Sequence, residues 1–141
     1  MKYISLIQAL NLPCNLNTFG DWHHSTQDWD NLKLLDTEGS VLGDYGIEKN
    51  KTVPCHKEKY NVANHLRAVL DMLYLQHFTV ARGMKDDYIC TDEYDNELFD
   101  KVMLMKQLPY WENIDEFMSK EYLGKWNNYK RSIEKAKDKL K

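Results

Sequence analysis

Apolar residues recur at helical spacing through most of the second half of the chain. Val62, Leu66, Val69, Leu70 and Leu73 fall on one stripe of a 3.6-residue period, with Asn61 in the N-cap position before them. Phe78 and Val80 extend that apolar run and Gly83 closes it. A second helix is predicted to begin at Thr91 or Asp92, with Tyr94, Leu98, Val102 and Met105 facing inward. Leu108-Pro109 ends it, because a residue before proline avoids the helical region. A third helix starts near 111–113 and buries Ile114, Phe117, Met118 and Tyr122; Gly124 either interrupts it or is tolerated within it. Trp126, Tyr129 and Ile133 then space a lysine-rich terminal helix or tail, from about residue 123, that packs at its start and frays at its end. At the other terminus Ile4, Ile7 and Leu10 predict a short helix over Tyr3 to Leu10, stopped by Leu12-Pro13. Asn15 to Gly20 reads as loop.

Between Gly20 and Glu48 the helical period is lost. Gly20, Gly39, Gly43 and Gly46 punctuate the segment, and Leu32 to Leu35 and Val41 to Ile47 fit short strands. Lys49 to Lys59 is basic and irregular. The architecture that follows is mainly α, with a small β or loop-rich insert in the first third (α+β), in one domain over residues 1–141.

Composition narrows the class. In 141 residues, 43% are hydrophobic, 12% aromatic and 29% charged, which is a globular composition. The net charge of −3 weighs against a dedicated nucleic-acid binder. Met1 to Leu10 is apolar but has only Lys2 as a positive charge and no cleavage site after it, so no export signal is read there. No apolar run approaches the roughly 18 residues that a membrane span needs. Cys14, Cys55 and Cys90 are odd in number and widely spaced, giving no disulfide framework. The expectation is a cytoplasmic protein with no membrane partner.

Charge is distributed unevenly. Residues 20–48 hold Asp21, Asp28, Asp30, Asp36, Glu38, Asp44 and Glu48 against Lys33 alone. Residues 86–100 hold Asp86, Asp87, Asp92, Glu93, Asp95, Glu97 and Asp100 and no base. Such blocks are solvated faces by default; as partner surfaces they attract and orient a basic protein. Trp22, Trp29, Tyr45, Tyr88 and Tyr94 lie within or beside them, and aromatic residues are frequent binding hot spots. Trp22 reads as core, whereas Trp29, Tyr45 and Tyr88 fit either core or interface. The candidate partner-binding set is therefore Asp21, Trp29, Asp44, Tyr45, Asp86, Asp87, Tyr88, Asp92 and Glu93.

No complete catalytic motif is present, and no cofactor is expected. Gly43-Asp44-Tyr45-Gly46 has neither the spacing nor the lysine of a phosphate loop. Cys55-His56 is a neighbouring pair, a poor geometry for a nucleophile and its base, which folding usually brings together from a distance. His23 and His24, with Cys55 and His56, give an alternative reading as a small metal-binding domain or metal-dependent enzyme, with Cys14 and Asp21 nearby as further donors. Their spacing matches no zinc pattern. His65, at the edge of the long apolar stripe, reads as a half-buried structural side chain.

Five stretches carry a resemblance: Ala9-Leu10-Asn11-Leu12-Pro13-Cys14, Gly20-Asp21-Trp22-His23, Gly43 to Glu48, Tyr60 to Arg67 and Ala81 to Ile89. Together, over roughly residues 1–122, they resemble small bacterial and phage antitoxins encoded beside single-domain RelA/SpoT-like toxins, the toxic small alarmone synthetases. The resemblance implies a non-catalytic protein inhibitor whose partner is a cognate toxin with a basic cleft, in a hetero-oligomer. Such toxins take pyrophosphate from ATP and modify the acceptor end of tRNA or make alarmones. Their clefts need Arg and Lys to hold phosphates, and an acidic surface bearing aromatics is the physical complement of such a cleft. Direct nucleic-acid binding by this chain is not expected.

Overall fold

The computed structural model describes residues 1–140. It is a helix-dominated α+β fold, 46% helix and 11% strand. The strands are β1 (Lys2–Ile4), β2 (Leu34–Asp36), β3 (Ile47–Lys51) and β4 (Tyr60–Ala63). The helices are α1 (Leu6–Leu10), α2 (His65–Tyr74), α3 (Phe78–Ala81), α4 (Asp95–Met103), α5 (Trp111–Tyr122) and α6 (Gly124–Lys139), with a 3-10 turn at His24–Thr26 and a π turn at Lys85–Ile89. The sheet runs β2-β1-β4-β3. β1 lies parallel to β4, with Ile4 opposite Val62; the outer pairs are antiparallel, and the β3–β4 register is irregular between Glu48 and Lys51.

The β structure is small, as expected, and its four strands frame the first 63 residues. Tyr3 and Ile4 belong to a central strand, so the N-terminal helix shrinks to Leu6–Leu10. Val62 sits in β4, and the cap of the long helix moves from Asn61 to Asn64, whose side chain accepts from the Arg67 amide at 2.8 Å. Residues 41–46 are turn, and the strand expected there is displaced to Ile47–Lys51, inside the segment read as irregular. Phe78 and Val80 do not prolong α2; the chain breaks after Tyr74 and resumes as α3. The acidic helix is capped at Tyr94, later than expected, after a π turn at Lys85–Ile89. The break between α5 and α6 falls at Leu123 (φ 52°, ψ −128°), just before Gly124.

Helix α2 is the axis of the core. Its residues from His65 to Leu73 are all buried, packed between the sheet and the later helices. Two of them are charged. Arg67, with no exposed surface, donates to Asp71 at 3.0 Å, to the Gly43 and Tyr45 carbonyls at 2.7 Å each, and to the Tyr3 hydroxyl at 2.9 Å. Asp71 accepts in turn from Tyr3 at 2.7 Å and Ser5 at 2.6 Å. Every member of this buried network is satisfied, the condition under which buried charge is tolerated. It ties the helix to β1 and to the loop carrying Asp44. At the far end, Phe99 meets Tyr122, Trp126 and Tyr129 edge-on, with centroids 5.0–5.4 Å apart, joining α4, α5 and α6.

Candidate functional site

The loop from Leu10 to His24 folds back on itself over the N-terminus of α2. The Asp21 amide donates to the Leu10 carbonyl at 2.9 Å. The Asn11 amide group donates to Asp21 Oδ2 at 3.0 Å, and its oxygen accepts from the His23 backbone at 2.6 Å. Asp21 also meets His23 Nδ1 at 3.2 Å. Only glycine fits at position 20: φ is +77°, and a Cβ there would lie 2.2 Å from the Leu10 carbonyl oxygen and 2.9 Å from the His65 ring. The next residue but one, Trp22, also has positive φ (63°), a true outlier for a bulky side chain. The result is a displayed ring: Trp22 is 78% exposed and Phe19 is 62% exposed. The core placement expected for Trp22 is therefore wrong; the clasp beneath it turns the indole outward.

The two acidic segments meet beside these rings. The Phe19 and Gly20 amides both donate to the Tyr88 carbonyl, at 3.1 and 2.8 Å. The Asn17 amide donates to the Tyr94 hydroxyl at 2.9 Å, and its side chain reaches Glu93 at 3.5 Å. Burial, together with the nearby charges of Asp21 and Asp87, pushes the Tyr88 phenol above its ordinary range. Asp86, Asp87, Asp92 and Glu93 are all exposed. Asp44 is exposed on the loop held by Arg67, and half-buried Tyr45 beside it donates to Glu97 of α4, with the Lys101 ammonium 4.5 Å from the ring centroid. Burial first, then Glu97, raises the Tyr45 phenol.

Trp29 does not join this surface. It is 6% exposed, and its indole N–H donates to the His24 carbonyl at 2.9 Å, so it serves the core. The four residues of the metal reading are each engaged elsewhere or apart. His23 pairs with Asp21, the His24 ring packs on Trp29, His56 Nε2 donates to the Trp29 carbonyl at 2.6 Å, and Cys55 is an exposed free thiol. Among the described residues, no three His, Cys, Asp or Glu side chains come together to hold a metal.

A cluster that sequence reasoning missed lies under the clasp. Thr18 Oγ1 is 2.7 Å from His65 Nδ1 and 3.5 Å from Cys14 Sγ, and His65 Nε2 is 2.8 Å from the Leu12 carbonyl. The signal for it was present in the sequence, since Leu12-Pro13-Cys14, Gly20-Asp21-Trp22-His23 and Asn64-His65-Leu66-Arg67 are three of the stretches that stand out along the chain. What their spacing does not reveal is that they converge. The cluster opens into a cleft of about 300 Å³ walled chiefly by Leu10, Leu12, Pro13, Phe19 and Trp22.

Among the described residues, no helix is long and apolar enough to cross a membrane. Comparison with known proteins finds no matching family model, no matching curated protein and no matching solved structure.

Proposed function

We propose that the chain is a non-catalytic protein inhibitor, an antitoxin that neutralises a RelA/SpoT-like pyrophosphokinase by laying an acidic, aromatic surface over the basic cleft in which that toxin holds its nucleotide or tRNA. The observation that carries this reading is the junction at Tyr88: its carbonyl joins the Phe19-Gly20 backbone to the second acidic segment, so the loop that bears two strongly exposed aromatic rings and Asp21 is tied to the segment that bears the exposed Asp86, Asp87, Asp92 and Glu93. Exposed aromatics bury little in the free monomer; against a basic partner they supply anchors and the acids supply steering. The positive φ of Trp22 adds to the case, because backbone held in a sparsely populated region clusters where a side chain must be presented. The binding set is accordingly Asp21, Phe19, Trp22, Asp86, Asp87, Tyr88, Asp92 and Glu93, with Asp44 and Tyr45 at its far edge.

The test is co-expression with the product of the adjacent gene, scoring growth and co-purification together. The reading predicts that the neighbour arrests growth alone, and that this protein restores growth and elutes with it. A harmless neighbour, or a toxic one that neither binds nor is relieved, would contradict it.

A further inference from the structure

His65 is nearly fully buried, and its Nε2 faces a backbone carbonyl, which only accepts. Nε2 therefore carries a proton in either charge state, and in the neutral ring Nδ1 is the acceptor. The Thr18 hydroxyl then donates to Nδ1 and receives the Cys14 S–H, a chain from thiol to hydroxyl to imidazole. Moving the proton along it leaves a thiolate on Cys14 and an imidazolium on His65, with Thr18 now donating to sulfur and accepting from Nδ1. Both arrangements satisfy every atom of the relay without moving a heavy atom. Glu48, which accepts from the Asn15 amide at 2.8 Å, lies close enough to favour the imidazolium. Burial pushes the Cys14 thiol up, but the nearby His65 imidazole and the Thr18 hydroxyl bonded to the sulfur outweigh it and hold the group at about 7. Burial likewise pulls the His65 imidazole down, but its interaction with Cys14, its bond to the Leu12 carbonyl and the charges of Cys14 and Glu48 bring it above its ordinary value. The nearest other titratable groups on the clasp are His24, at the cleft wall, and the Asp21–His23 pair.

We propose that Cys14 is a modification site: a nucleophilic thiol, activated through Thr18 by His65, that undergoes exchange with low-molecular-weight disulfides bearing an aromatic or apolar group. The Cys14 thiolate attacks one sulfur of the disulfide, the S–S bond breaks, and the departing thiolate takes the proton held on His65. One new protein–ligand disulfide and one free small thiol result, with no net oxidant beyond the disulfide itself. The cleft favours the apolar class, since Leu10, Leu12, Phe19 and Trp22 wall the approach to sulfur. Cys55 and Cys90 have no such partner: Cys55 is exposed on a turn, and Cys90 donates to the Asp86 carbonyl at 2.7 Å. The site stands on this geometry alone and is independent of the inhibitor reading.

The test uses the full chain with Cys55→Ser and Cys90→Ser, leaving Cys14 as its one thiol, and dipyridyl disulfide as probe, with release of pyridinethione followed across pH. The expected profile inflects near pH 7, with one adduct per chain by mass. Thiols of lower pKa are intrinsically weaker nucleophiles, so the gain in rate over an ordinary thiol is only about threefold at pH 7, and the inflection is the decisive reading. Thr18→Val should move the inflection above about pH 8, the ordinary thiol range, while Thr18→Ser retains it. Should Thr18→Val fail to fold, the parent profile and Thr18→Ser decide. An inflection at or above about pH 8.5 in the parent, or an unchanged profile in folded Thr18→Val, overturns the proposal. Cys14 should also prefer the dipyridyl probe over oxidised glutathione by a larger ratio than Cys55 does in the Cys14→Ser, Cys90→Ser chain; equal ratios overturn the apolar assignment.

Discussion

Arg67 shows how much one side chain can organise. It is a fully buried guanidinium, and it spans α2, β1 and the Gly43–Tyr45 loop through four hydrogen bonds whose geometry is fixed by a rigid fork. Replacing it with methionine keeps the apolar bulk but strands Asp71 as a buried charge with only the Tyr3 and Ser5 hydroxyls left to it. The expected cost is about 3–5 kcal/mol, read from urea denaturation. Combining Arg67→Met with Asp71→Leu removes both charges and should recover most of that loss. A single substitution costing under about 1 kcal/mol would show that the network does not hold the fold. At this scale, sequence reasoning had little to work with. Asn64-His65-Leu66-Arg67 was a visible stretch, yet His65 reads only as a half-buried side chain at the edge of an apolar stripe, and nothing in the spacing shows that Tyr3, Cys14 and Thr18 arrive from far along the chain to satisfy Arg67 and His65.

Among the elements, the later helices were the readable ones. Leu98, Val102, Ile114, Met118 and Tyr122 are buried as their 3.6-residue period predicts. The N-terminal half was misread where period alone cannot tell a short buried strand from a helix turn: Tyr3-Ile4 and Val62-Ala63 are adjacent apolar pairs in central strands, covered on both faces. Two joints among the helices carry predictions. Leu123 holds φ 52° and ψ −128°, a conformation native to glycine, and its side chain is 67% exposed. Leu123→Gly therefore relieves strain while losing little burial, and should raise stability by about 1 kcal/mol, seen as a higher melting temperature. A lower one would mean that the Leu123 side chain packs productively. Asp115 joins α5 to α6, accepting from the Trp126 indole at 2.8 Å and from the Lys130 ammonium at 2.7 Å. Burial alone would raise this carboxyl, but those two donors hold it below its ordinary value. A depressed folded-state pKa means that the stabilisation is complete above the unfolded value of about 3.9 and is lost as pH falls through the lower folded one. Asp115→Asn should flatten that part of the acid unfolding limb, below about pH 4, and leave the neutral region's pH dependence unchanged. A limb of unaltered slope would place the acid sensitivity elsewhere.

Across the whole molecule, charge is sorted. The acidic segment of residues 86–93 is tied through the Tyr88 carbonyl to the loop that carries Phe19, Asp21 and Trp22, while the terminal helix α6 carries Lys125, Lys130, Arg131, Lys135, Lys137 and Lys139. Part of that basic helix is spent within the fold, since Lys125 reaches Asp95 and Lys130 reaches Asp115, so it neutralises acids of α4 and α5; Asp86 pairs loosely with Lys85 at 3.7 Å, and Asp86, Asp87, Asp92 and Glu93 all stay exposed. The acidic blocks were legible from composition, but their junction and the display of Trp22 were not, because both depend on the Tyr88 carbonyl and on a left-handed residue that no periodicity encodes. A surface of this kind speeds encounter with a basic partner at low salt and loses that advantage as salt rises. The most direct measurement is the affinity of this protein for the purified product of the adjacent gene, with and without lysine at Asp86, Asp87, Asp92 and Glu93. Reversing the charge of the proposed contact surface predicts a Kd at least about tenfold weaker for the fourfold variant, with a flatter salt dependence and loss of growth rescue. An unchanged Kd and full rescue by a folded fourfold variant would contradict the account.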